Sequence, residues 1–190
     1  MWRPAGRKRV QLLVAYGGRA DGTRHLLEFK RSTGESQVAW EGPLMDLYRR
    51  GLEGQQLQLI VTDGCASLAA AQQMVYPRVR HQRYWVHKLR NLLGAVRRRD
   101  HAAMKVDAHA IYQAPSRSEA ESHAQAFAHR WRDAYPALVT RLLRDLPELL
   151  AFFHCPQALW RKLMMCYLHF SSRELTPEGT YCRILHTSLL

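Results

Sequence analysis

Residues 57–91 read LQLIVTDGCASLAAAQQMVYPRVRHQRYWVHKLRN, and this stretch decides the fold. The run LQLIVT at 57–62 is apolar and lacks the alternation of a half-exposed strand, which suits a strand covered on both faces. Asp63-Gly64 ends it in a turn. The small-residue segment 67–75 (SLAAAQQMV) has helical character and stops before Pro77. Residues 79–86 (VRHQRYWV) read as a second strand, and 87–99 as a basic amphipathic helix. Strand–helix–strand–helix in so short a span marks an α/β unit with a central sheet.

Working outward, 10–16 (VQLLVAY) is another covered-type strand, ended by Gly17-Gly18. Asp21-Gly22 makes a hairpin-like turn, and 25–29 (HLLEF) is the partner strand. Residues 35–51 place Val38, Trp40, Leu44, Leu47 and Tyr48 at helical spacing, with Gly51 and Gly54 as stops. From Asp100 the chain turns continuously helical. One helix is expected over 102–113, a second from the cap-like Ser116-Arg117-Ser118-Glu119 to about 135, and a third over 136–153. Pro136 suits a helix start, and Pro147 marks a break. Beyond 162 the periodicity fades: 164–170 (MMCYLHF) is apolar without a period, and 175–190 is turn-like and mixed.

The chain's 190 residues include 28 Lys plus Arg against 16 Asp plus Glu, a formal net charge of +12. Such an excess favours a polyanionic partner, nucleic acid before membrane, because phosphate contacts release condensed counterions. A merely Arg-rich protein carries the same charge, so both readings stay open at this level. A hydrophobic share of 47% is enough for a real core and argues against disorder or a fibrous repeat. Cys65, Cys155, Cys166 and Cys182 are widely spaced without a CxxC pair, against a zinc ribbon or a secreted disulfide framework. The basic Gly6-Arg7-Lys8-Arg9 leads into no apolar targeting segment, and no run approaches the roughly 18–20 apolar residues of a membrane span. A cytoplasmic protein without membrane contact is expected.

Two groups of residues are candidates for chemistry. Asp63 follows a central strand at the edge where open α/β sheets bind ligands, and its carboxylate suits a hard cation such as Mg²⁺. Strand–Asp–Gly is equally a common way to end a strand, the side chain turning back onto local backbone. The second group, Arg83, His87, Lys88, Arg90 and Asn91, interleaves bases with Tyr84 and Trp85 across a strand and the following helix. That mixture suits phosphate contact and base stacking. It is also what a buried Trp85 and Val86 beside a solvated basic face would produce.

Taken together, 61–93 (VTDGCASLAAAQQMVYPRVRHQRYWVHKLRNLL) resembles the core block of the bacterial Mutator-type insertion-sequence transposases. That block has a strand ending in S/T-D-G, a small-residue helix, a Y/F-P turn, then Q-R-C-x-V-H-x-L-R-N. The flanks agree from about residue 6 to 163, including IYQAPSRSEAESHAQAFAHRWRDAYPALVTRL at 111–142. The resemblance implies a partial RNase-H-like fold, a mixed sheet with flanking helices, carrying an all-helical insertion. The expected division is a partial catalytic core over 6–99, the insertion over 100–163, and a frameshifted, non-family tail over 164–190. It also implies a DDE mechanism, in which three carboxylates hold two Mg²⁺ ions for DNA cleavage and strand transfer. The second carboxylate maps onto Asp63. The histidine of the family's C-x-x-H signature maps onto His87, while its cysteine position holds Tyr84.

The match fails where the other two carboxylates belong. The first is expected on a strand just before Gly6, the central element of the sheet, yet residues 1–5 contain no acid. Its loss should leave an exposed strand edge. The last is expected in a T-N-x-x-E-R motif after Trp160-Arg161-Lys162-Leu163; only Glu174 and Glu178 follow, in another context. The expectation is therefore a transposase by family, required for movement of an insertion element, with this chain an inactive fragment. Its partners would be element terminal repeats and target DNA, with a homo-oligomer or an intact transposase as protein partner. The alternative is a non-enzymatic DNA-binding regulator of an intact transposase. An unrelated RNA-binding domain has charge alone behind it.

Overall fold

The structure, a computed structural model, describes residues 11–19, 23–32, 36–164 and 181–189. The chain begins with an antiparallel pair, β1 (Gln11–Arg19) and β2 (Arg24–Ser32), with a register irregularity at Ala15/Tyr16. Helix α1 (Gln37–Arg49) follows, capped by Ser36, whose side chain accepts from the Ala39 N–H at 3.2 Å. Then come β3 (Leu57–Thr62), α2 (Ala66–Val75), β4 (Arg80–Arg83) and α3 (Trp85–Gly94). The helical block is α4 (His101–Tyr112), α5 (Arg117–Trp131), α6 (Pro136–Leu149) and α7 (Gln157–Met164). The last strand is β5 (Tyr181–Leu189). This is the expected α/β class, mostly helical by residue.

The five strands form one mixed sheet in the order β2-β1-β5-β3-β4. β5 runs antiparallel to β1 and parallel to β3, and β3 runs parallel to β4. Two expectations are corrected here. Residues 175–190 do not stay turn-like throughout, and the centre of the sheet is not left open. The segment YCRILHTSL contains neither Gly nor Pro and pairs through its backbone, which needs no side-chain period.

β3 is covered on both faces, as its sequence implies. Leu59 and Val61 belong to a large core built with α3 to α7, whereas Leu57 and Ile60 belong to a smaller one under α1 and α2. The boundary between β4 and α3 lies earlier than expected. The Tyr84 N–H donates the last ladder bond to the Thr62 carbonyl at 2.9 Å, and the Lys88 N–H opens the helix by donating to the Tyr84 carbonyl at 3.2 Å. Trp85 and Val86 are therefore helical rather than extended. α3 also ends at Gly94, short of 99, where Ala95 and Val96 close it with tighter bonds to the carbonyls of Leu92 and Leu93. Pro147 does not break α6, which runs on to Leu149: it sits in the last turn, with the missing N–H near the helix end. α5 stops at Trp131 rather than 135. Among the described residues, no helix is long and apolar enough to cross a membrane.

Candidate functional site

β3 delivers Thr62, Asp63 and Gly64 to the C-terminal edge of the sheet, and Gly64 takes the left-handed conformation (φ 89°) that reverses the chain there. The Asp63 Oδ1 accepts from the Cys65 N–H at 3.0 Å. This is the local turn that the bland reading of Asp63 anticipates, and it fixes the carboxylate beside the start of α2. Behind it, the Thr62 hydroxyl accepts from the Gly64 N–H at 3.2 Å and meets His81 Nε2 at 2.8 Å.

Asp63 opens onto a cleft of about 220 Å³ between the sheet edge, α3 and α6, lined also by Arg83, Lys88, Asn91, Arg141, Arg144 and Asp145. Three of the sequence candidates, Arg83, Lys88 and Asn91, therefore meet Asp63 there. His87 and Arg90 are not part of the lining. His87 is half-buried, its ring 6.2 Å from that of Tyr84, so the two C-x-x-H positions pack against each other. Burial pushes the His87 pKa down, with the Asp63 charge opposing and Arg90 reinforcing the shift. Arg90 and Asn91 are exposed.

The cleft's cations are largely committed to α6. Lys88 Nζ donates to Asp145 Oδ2 at 2.8 Å, Arg144 Nε donates to its other oxygen at 3.2 Å, and Arg83 Nη1 lies 3.4 Å away. Arg83 Nε also pairs with Glu148 Oε2, and His81 Nδ1 reaches the same oxygen at 3.5 Å. Burial alone would raise the Asp145 pKa, but Lys88, Arg144 and Arg83 outweigh it and hold the carboxyl below its ordinary value. His81, its largest influence, and Arg83 likewise hold Glu148 low against burial. Lys88 is pushed down by burial, with Asp145 opposing. Sequence reasoning missed Asp145, Glu148, Arg141 and Arg144. Their spacing of three and four was the available signal, since 141, 144, 145 and 148 share one face of a helix.

The donor set decides what metal chemistry the described residues could support. Asp63 is one carboxylate, and Asp145 is already matched by three cations. Among the described residues, no group of three or more His, Cys, Asp or Glu is disposed to hold a metal ion. A two-metal centre needs several anionic oxygens to neutralise it, so these residues do not fit one.

The sequence model described as "Transposase, Mutator family" matches residues 2–168. The chain belongs to the Mutator family of transposases. Similar proteins include the transposase for insertion sequence element IST2 of Acidithiobacillus ferrooxidans, 35% identical over 82% of this chain and 52% of that protein. The transposase for insertion sequence element IS6120 of Mycolicibacterium smegmatis is 31% identical over 80% of this chain and 47% of its own length. The transposase for insertion sequence element IS406 of Burkholderia multivorans is 36% identical over 77% and 38%. The chain thus spans about half, or less, of the curated relatives it matches. Tyr84, at the position where the resemblance leads to an expectation of Cys, is buried to 1% exposure and occupies the N-cap position of α3 without a side-chain cap bond.

Proposed function

We propose that this chain is the central part of a transposase required for moving an insertion element, and that alone it binds DNA without cutting or joining it. In this reading residues 6–99 are a partial RNase-H-like core, 100–163 a helical insertion, and 164–190 a tail of separate, frameshifted origin. Asp63 corresponds in this reading to one of three DDE carboxylates, and as a single carboxylate it does not complete the Mg²⁺ centre that the family's cleavage and strand transfer would require. The observation that carries the reading is Asp63 at the strand end of β3, in a cleft whose other walls bear Arg83, Lys88, Asn91, Arg141 and Arg144. The exposed Arg90 and Asn91, with His87 beside them, extend that basic surface along α3 toward DNA phosphates. A cytoplasmic location and self-association, or association with an intact transposase, complete the proposal.

The second reading, a non-enzymatic regulator of an intact transposase, is favoured by the pairing of Asp145 with three cations where a metal site would need free carboxylates. Both readings meet one experiment. The chain is titrated against terminal inverted repeats of a matching element by gel shift, then assayed for strand transfer with Mg²⁺ or Mn²⁺. Binding that weakens steeply with salt, without strand transfer, is expected. Strand transfer by this chain alone would sink the inactivity claim, and no binding at moderate salt would sink DNA recognition. Inhibition of an intact relative by added chain would favour the regulator.

A further inference from the structure

The family match ends at residue 168, yet the middle strand of the sheet, β5, is drawn from Tyr181–Leu189. We propose that the gap between β1 and β3 is a strand-acceptor site, and that its occupant is this chain's own residues 181–189, held intramolecularly as a strand complement. The inference concerns the sheet alone and does not rest on the functional reading above.

The pairing is extensive on both sides. All nine residues of β5 register with β1, from Arg19↔Tyr181 to Gln11↔Leu189, and Tyr181, Cys182, Arg183 and Ile184 register with Leu57, Leu59, Ile60 and Val61 of β3. Among the described residues, β5 is also the sole link between an antiparallel pair and a parallel pair. Without it the sheet becomes two two-stranded pieces, a size that is marginal in water. One edge of β3, whose Leu59, Val61 and Thr62 are fully buried, would then carry unmatched N–H and C=O groups. The connection permits the return. Residues 165–180 join α7 to β5, a tether reaching about 55 Å when extended. A domain of this length has a radius of gyration of only about 16 Å. Insertion into the chain's own sheet does not depend on protein concentration, whereas exchange with a second copy does, so at micromolar protein the intramolecular pairing is the one expected.

Cys182 offers a direct trap, because it registers with Gly18 of β1. Directly opposed residues of an antiparallel pair have Cα atoms about 4.5–5.5 Å apart, within disulfide range. On mild oxidation of the full chain carrying Gly18→Cys, mass mapping should find the introduced thiol linked to Cys182, with the chain monomeric on non-reducing gels. Leu13→Cys, five positions away and registered with Thr187, should link to Cys182 at least about tenfold less. The unmodified chain supplies a second readout: backbone amides of 57–62 and 181–189 should exchange together, both slowed by about 100-fold or more against an unfolded peptide. Ile184→Pro, which cannot continue a central strand, should release both segments. Free exchange of 181–189 while 57–62 stays protected would overturn the proposal. So would a Cys182 link that forms only between chains.

Discussion

Gln82 begins the Q-R part of the block that resembles the Mutator family, and its surroundings make it a clamp between sheet and helices. It is fully buried; its Nε2 donates to the carbonyls of Leu149 at 3.0 Å and Arg83 at 2.7 Å, and its Oε1 accepts from the Phe152 N–H at 2.8 Å. Gln82→Met keeps the length of the side chain and removes these bonds. The Phe152 N–H is then buried without a partner, a loss of about 1–3 kcal/mol. The Leu149 carbonyl keeps the Trp85 Nε1 donor at 2.8 Å, so its share is closer to 1 kcal/mol. The expected total is about 2–4 kcal/mol, a large part of the roughly 5–15 kcal/mol that holds a domain together. In urea, with a slope of about 1–3 kcal/mol/M, the midpoint should fall by roughly 1–2 M without a change of slope. Trp85→Phe removes the other donor, so the double variant should lose more than the sum of the singles, by about 0.5–3 kcal/mol. A midpoint shift below about 0.3 M for Gln82→Met, or simple additivity, would refute the clamp.

Asp145→Asn leaves Lys88 and Arg83 crowded without a full counter-charge, and should cost about 2–4 kcal/mol by urea titration; a neutral result would mean that solvent already screens the cluster. The folded pKa values of Asp145 and Glu148 are depressed, so their contribution is present above the ordinary carboxylate range near 4 and is lost as pH falls through the folded values. Midpoints should therefore drop steeply at about pH 4 and below, and Glu148→Gln should flatten that drop. His87 is depressed as well, so the unfolded chain binds its proton first and stability should rise with pH up to about 6.5 to 7; His87→Gln should reduce the slope without abolishing it, because His109 and His154 are depressed in the same direction. Gly64→Ala meets only ordinary contact, Arg83 Cδ at 3.7 Å, so its cost should be the backbone strain alone, about 1–2 kcal/mol. A loss well above that, seen in the same titration, would reveal a steric role for the glycine.

What was legible in sequence was local. LQLIVT announced a strand covered on both faces, and Leu59 and Val61 do face a different core from Leu57 and Ile60. The turn after Asp63 was legible for the same reason, since its Asx bond spans two residues. What escaped was non-local. Arg83 and Lys88 looked like free phosphate ligands because Asp145 and Glu148 lie about sixty positions away, joined to them only by the packing of α6 on β4. The β4–α3 boundary was misplaced because Trp85 is aromatic enough for a strand, whereas its Nε1–H needs the Leu149 carbonyl that a helical position supplies. β5 escaped for a third reason: it pairs with β1 across most of the chain, and backbone pairing leaves no periodic trace in composition.

The division of β3 between two cores bears on how this family can drift. Its burial leaves a single outward position, Gln58, among six residues. On a half-exposed strand every second site is open to replacement, so lineages wander there at little cost. Here neither side offers that freedom, and a change at Leu59 or Ile60 must be absorbed by whole groups of helices. Substitution along this strand should therefore concentrate at Gln58, and the strand's far end, where Asp63 sits, is held in place from both cores at once.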